Sequence, residues 1–341
     1  MLTDEAEILR QAEAWGRIGR GVAIATVVET FGSAPRPVGS HLVVDEAGAF
    51  RGSVSGGCVE GDVVTAALDV IEDGAPRLLD FGVADEVAWR AGLPCGGRVG
   101  VHVQKLDAAC VELLAELGDE YAKRRVCALV TPLDGGEPWL LRASDAVDDA
   151  LAAPLSGRQC ALIEHRGRRL FVYVHRPPTR LVIVGAVHVA QALSSMARAA
   201  GFDVVIIDPR AAFAAQERFP DVTLVTQWPD EALPRLGLDG FTALATLSHD
   251  PRIDDAALRL ALTSDCFYVG ALGSMKSQAR RVERLRAAGV TAAALARLRA
   301  PIGLDIGAVS PTEIAISVLG EIVLTRRQKP LRAEMARVAS R

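Results

Sequence analysis

From residue 180 onward the chain repeats one pattern. Near-continuous apolar runs, "RLVIVGA", "DVVIIDP", "VTLVTQ", "FTALATLS" and "CFYVGALG", are separated by helical stretches. A strand that is apolar at every position must be covered on both faces, and a helix after each strand supplies that cover. This predicts a doubly wound parallel sheet of the Rossmann kind. Ligands in such sheets bind at the carboxyl edge of the strands, so the loops there are the first candidates for function.

The first of those loops is "GAVHVA". A full dinucleotide fingerprint reads GxGxxG or GxGxxA, and its second glycine lets a pyrophosphate reach the backbone. That position is Val187 here, between Gly185 and His188. Asp208, 23 residues after Gly185, stands where a ribose-binding acid belongs. Half the fingerprint is present, which leaves two readings open: NAD(P) binding, or a scaffold whose helix start is free for another anion. "LSHDPRIDD" adds His249, and "VGALGSMKS" adds Gly270 and Gly273 before another helix. "PIGLDIGAVSPTEIA" ends in a capping box, Ser310 to Glu313, with Pro311 at the first helical position.

The N-terminal half reads as a mixed α/β unit. It has an opening helix, a β-branched strand over Val22–Thr30, a hairpin through "HLVVD" and "FRGSV", and a helix from Val59 to about Glu72. Further strands follow at "PRLLDFG" and "RVGVHVQKL". Expected boundaries divide the chain into 1–107, a small α/β linking region at 108–178, and the Rossmann-like domain at 179–341.

Two glycine loops in that half carry thiols. "GSVSGGCVEGDV" places Cys58 after Gly56 and Gly57 at a helix start, where unpaired amides and the helix dipole favour an anion. "LPCGGRVG" repeats the idea with Cys95, Gly96 and Gly97. Arg36, held between prolines in "GSAPRPVG", is a cation suited to phosphate or carboxylate. Glu60 and Asp62 read as first-turn dipole partners. The other cysteines, 110, 127, 160 and 266, lie in helix or strand patterns and read as packing.

Net charge −4 without a basic stripe, and aromatic content of 5%, argue against a nucleic-acid partner. No apolar run reaches the roughly 18 residues of a membrane span. The first residues lack the charged flank and apolar run of an export signal, so a cytoplasmic protein with reduced thiols is expected.

Together "GSAPRPVGSHLVV", "GSVSGGCVEGDV", "CGGRVGVHV", "VGAVHVAQAL", "SHDPRIDD", "VGALGSMKS" and "PIGLDIGAVSPTEIA" resemble the XdhC/CoxI family, accessory proteins of molybdenum hydroxylases such as xanthine dehydrogenase. The resemblance runs from about Arg17 to Arg327 and departs at Val187, where the family usually has glycine. It implies an accessory protein rather than a turnover enzyme, with no catalytic residue assigned. Such a protein binds molybdenum cofactor (molybdopterin or its cytosine dinucleotide form), protects it while a cysteine desulfurase exchanges an oxo ligand for sulfide, and inserts it into the apo-hydroxylase. Cys58 is then the expected molybdenum contact, with Arg36, Gly56, Gly57, Cys95, Gly96 and Gly97 around the cofactor. On the same resemblance Glu60 and Asp62 read alternatively as acceptors for the nitrogens of its pterin. Gly185, His188, Asp208, His249, Gly270 and Gly273 contribute from the Rossmann domain. A homodimer is expected from the frequency of symmetric assemblies. The rival reading is an NAD(P)-dependent oxidoreductase with His249 as proton donor; Val187 stands against it.

Overall fold

The structure, a computed structural model, describes residues 5–32, 34–82, 97–145, 148–157 and 159–327. The chain forms two compact units, Met1–Pro177 and Pro178–Arg341.

In the first unit, α1 (Glu5–Arg17) leads into β1 (Val22–Phe31), β2 (His41–Asp45), β3 (Phe50–Gly52), α2 (Glu60–Asp73), β4 (Arg77–Gly82), β5 (Arg98–Lys105) and α3 (Ala108–Ala122). The strands form an antiparallel sheet in the order β3-β2-β1-β5-β4. Period-two alternation fixes which side chains face which layer. From β1, Ala23, Ala25 and Val27 meet Val63, Ala67 and Val70 of α2. Val22 and Ile24 face the opposite way, onto Ile8 and Leu9 of α1 and Leu114 of α3. Val28, in phase with Val22 and Ile24, joins that second layer too, and a bulge shifts the pairing with β5 between Val27 and Glu29. Gly74 ends α2 in the left-handed conformation (φ 74°), donating its N–H to the Val70 carbonyl.

The remainder of this unit is β6 (Cys127–Pro132), β7 (Trp139–Arg142), α4 (Asp149–Gly157), β8 (Ala161–His165) and β9 (Arg168–His175), the strands making a second antiparallel sheet, β7-β6-β9-β8. One face, through Cys127, Leu129 and Phe171, closes onto the α1/α3 layer; the other is covered by Leu151 and Leu155 of α4.

The second unit is the expected doubly wound sheet. Its elements are β10 (Arg180–Val184), α5 (His188–Ala199), β11 (Asp203–Ile207), β12 (Thr223–Val225), α6 (Pro229–Leu236), β13 (Thr242–Thr246), α7 (Pro251–Leu262), β14 (Tyr268–Ala271), α8 (Met275–Ala287), α9 (Ala292–Leu295), β15 (Leu298–Arg299) and α10 (Pro311–Arg327). All strands are parallel, ordered β12-β11-β10-β13-β14-β15. The order reverses between β10 and β13, which makes the loops after those two strands the switch point. Leu193 and Ala197 of α5 cover one face with Val318 and Ile322 of α10; Leu233 of α6 and Ile253, Ala257 and Leu258 of α7 cover the other. Among the described residues no helix is long and apolar enough to cross a membrane.

Candidate functional site

The loop between β3 and α2 folds around a carboxylate of its own. Glu60 Oε1 accepts from Ser53 Oγ (2.6 Å), Ser55 N (2.9 Å), Gly56 N (3.1 Å) and Val54 N (3.2 Å). Its Oε2 accepts from Ser55 Oγ (2.5 Å) and Gly57 N (2.8 Å). Burial by itself raises the Glu60 carboxyl, but the bonds from Ser53 and Ser55 outweigh it and hold its pKa at about 2. Gly56 and Gly57 sit at φ 84° and 121°, conformations that L side chains rarely adopt, and so their amides turn toward one point. The expectation of an open amide nest is thereby corrected: the nest exists, and Glu60 fills it. Glu60 is equally removed as an acceptor for a ligand's nitrogens, since both its oxygens are engaged.

Ser55 Oγ also accepts from the amides of Cys58 and Val59 (3.0 Å each), which carries the chain into α2. Val59, at the N-cap, makes no side-chain cap itself. The amides of residues 54–59 thus bond to Ser55 or Glu60, and Cys58 is left exposed on the loop. The other described cysteines differ. Cys110, Cys127 and Cys266 are buried and Cys160 is half-buried; burial pushes the Cys110 and Cys127 thiols up to about 12, which suits packing and not reaction.

The loop carrying Arg36 lies beside this one, for a Cβ placed on Gly56 would stand 3.7 Å from Pro35 Cβ. Arg36 turns toward α1 and pairs with Glu5 (Nη2 to Oε1, 2.5 Å), whose other oxygen accepts from His41 N. Gly97 precedes Arg98, which pairs with Asp80. Cys95 and Gly96 lie outside the described residues.

At the switch point of the second unit, Gly185 has φ 107°, and a Cβ there would fall 2.6 Å from Ser248 N. The loops after β10 and β13 touch backbone to backbone only because that residue is glycine. Asp208 is sealed from solvent. It accepts from Ala186 N (2.8 Å), Arg210 N (2.9 Å), Arg210 Nε (2.9 Å) and Arg210 Nη2 (2.7 Å). These donors outweigh burial and lower its pKa. The acid at the ribose position therefore clamps two loops together instead of presenting a free acceptor. His188, the first residue of α5, is exposed, and its N-cap Val187 supplies no side-chain bond.

His249 is exposed and holds φ 64°, strained for a residue with a Cβ. Asp254 imposes this, accepting from His249 N (3.1 Å) and Ser248 Oγ (2.7 Å). Gly270 falls inside β14, where a Cβ would collide with Ile302 and the Tyr268 hydroxyl at 2.6 and 2.7 Å, so that glycine serves packing. Gly273 (φ 144°) precedes Ser274, which caps α8 by accepting from Ser277 N. Sequence reasoning passed over Arg210, Asp254, Gln278 and Arg281. In sequence each is one more charged or polar residue near a helix or loop, and only the fold shows that Arg210 pairs with Asp208 and that Arg281 joins Gln278 and Asp254.

The chain belongs to the XdhC/CoxI family: residues 15–82 match the model described as "XdhC and CoxI family" and residues 181–322 the model described as "XdhC Rossmann domain". It is 30% identical over 326 residues to the molybdenum cofactor insertion chaperone PaoD of Escherichia coli (strain K12), spanning 95% of this chain and 89% of that one. It is 26% identical to a probable xanthine dehydrogenase subunit of Bacillus subtilis (strain 168), across 89% and 93% of the two. The fold matches a crystal structure titled as a xanthine dehydrogenase from Bacillus halodurans, with TM-score 0.71, 23% identity and coverage of 94% and 96%.

Proposed function

We propose that this chain is an accessory protein that takes molybdenum cofactor as cargo and delivers it to an apo molybdenum hydroxylase, with Cys58 as the residue that touches the metal centre. The observation that carries this reading is the display of Cys58. Its loop bonds its own amides and hydroxyls to Glu60 and Ser55 and leaves Cys58 exposed. Thiolate is a soft ligand, matched to a soft, sulfur-ligated metal centre. The likeness to a protein named a molybdenum cofactor insertion chaperone supports the cargo, and the likeness to one named for xanthine dehydrogenase supports the client class.

The cargo is a pterin dithiolene bearing phosphate, in plain or cytidylylated form. In this reading the chain acts in the cytoplasm as a homodimer and holds the cofactor while a cysteine desulfurase exchanges an oxo ligand for sulfide. Cys58 contributes a sulfur contact; Arg36, anchored on Glu5, steadies the neighbouring loop.

The test is release of oxidised, fluorescent pterin from protein purified out of cells with intact cofactor synthesis. Wild-type protein should carry pterin and Cys58→Ala should carry much less. Equal retention removes the thiol from the reading, and wild-type protein without any pterin overturns the cargo itself.

A further inference from the structure

We infer that Glu60 is a positioning residue, whose carboxylate, wrapped by six donors from Ser53 to Gly57, is the template that sets the loop presenting Cys58. The inference rests on the reading that Cys58 meets the cargo. Donors gathered on one point require an acceptor there: without it, successive amides in a half-exposed loop turn back to water and the loop loses its single conformation. Glycine at 56 and 57 makes this acute. These residues adopt positive φ easily but are also the freest to leave it, so something other than sterics must hold them. Open space around Gly57 confirms that packing does not do so, for a Cβ there would meet nothing within 4 Å.

The link to Cys58 runs through Ser55. Its hydroxyl donates to Glu60 Oε2 and accepts from Cys58 N and Val59 N, so one atom couples the carboxylate to the backbone carrying the thiol. The charge is what makes the template effective. Hydrogen bonds to an ionised acceptor are stronger than neutral ones, and a glutamine at 60 offers a single oxygen and directs an NH2 at groups that are themselves donors.

The experiment reads Cys58 in the full-length protein without cargo, as its rate of alkylation by iodoacetamide followed on the Cys58 peptide by mass spectrometry. Glu60→Gln, which keeps the side-chain volume, should change that rate by about tenfold while circular dichroism shows an unaltered fold. Glu60→Ala should behave alike, and added sodium acetate should refill the cradle and return the rate toward wild type where equal sodium chloride does not. A merely structural role would show no rescue by a free carboxylate. Pterin retention should fall in Glu60→Gln as well. A wild-type alkylation rate in Glu60→Gln overturns the inference whether or not Glu60→Ala folds, and so does acetate acting no better than chloride. Should Cys58→Ala keep its pterin while Glu60→Gln still alters alkylation, the cargo contact fails and the positioning role stands.

Discussion

Arg281 and Asp254 meet inside the Rossmann unit, Nη2 3.5 Å from Oδ2, with side chains only 6% and 1% exposed. Burial disfavours both charges, raising the Asp254 carboxyl and lowering the Arg281 guanidinium. Extra bonds hold the pair: Ser248 Oγ and His249 N donate to Asp254, while Gln278 Oε1 and the Leu272 carbonyl accept from Arg281. Through Asp254 the pair dictates the backbone of His249. Removing one partner strands the other in a low dielectric, so Asp254→Ala or Arg281→Met should each cost about 3–5 kcal/mol. The double variant should cost clearly less than the two together. Urea unfolding of the three variants measures this, and simple additivity would contradict the pairing.

Gly185→Ala should destabilise the protein by about 3 kcal/mol, because strain at φ 107° adds to a backbone clash with Ser248. Gly57→Ala is the control. Its φ of 121° is as unfavourable, but nothing lies within 4 Å of the new methyl, so its loss should be smaller. Thermal unfolding ranks the two; a reversed order would show that the loops after β10 and β13 do not need their close approach.

How much of this was legible in the sequence follows from what each element depends on. The parallel strands β10, β11, β13 and β14 are apolar on both faces, and such runs admit few alternatives. Strand β8 carries little signal in the sequence, because its residues are at most partly buried and include Glu164, so neither alternation nor a continuous apolar run marks it. The Cys58 loop announced itself by its glycines. Its acceptor did not, since Glu60 and Asp62 both occupy the first turn of α2, and spacing cannot say which folds back. Arg36 read as a free cation because its partner, Glu5, is 31 residues away in another element.

The capping box at α10 was readable, since all its bonds are local. Glu313 Oε2 accepts from Val309 N and Ser310 N, and Glu313 N donates to Ser310 Oγ at 3.3 Å. Ser310→Ala should cost about 1 kcal/mol and Glu313→Ala a similar amount. The combined change should fall short of the sum, because each side chain serves the same helix end. Chemical denaturation decides between that and independent contributions.

His41 makes stability depend on pH in a defined direction. It lies in β2, almost wholly buried, with Nδ1 3.0 Å from Thr26 Oγ1 and its ring edge-on to Tyr173. Its Nε2 has no hydrogen-bond partner among the described residues. Burial foremost, then the charges of His175 and Arg36, lower its pKa to about 3 from the ordinary 6.5. In the unfolded chain the ring takes a proton near pH 6.5, whereas in the native state it stays neutral down to about pH 3. Between those limits the unfolded state binds more protons, so acid drains stability across that window and not above it. At about pH 5 the loss due to His41 should be about 2 kcal/mol. His41→Gln should lose its native packing at every pH but flatten the slope between neutrality and pH 5. The measurement is the urea unfolding free energy of both proteins across that range; parallel slopes would mean that His41 is not kept neutral by the fold.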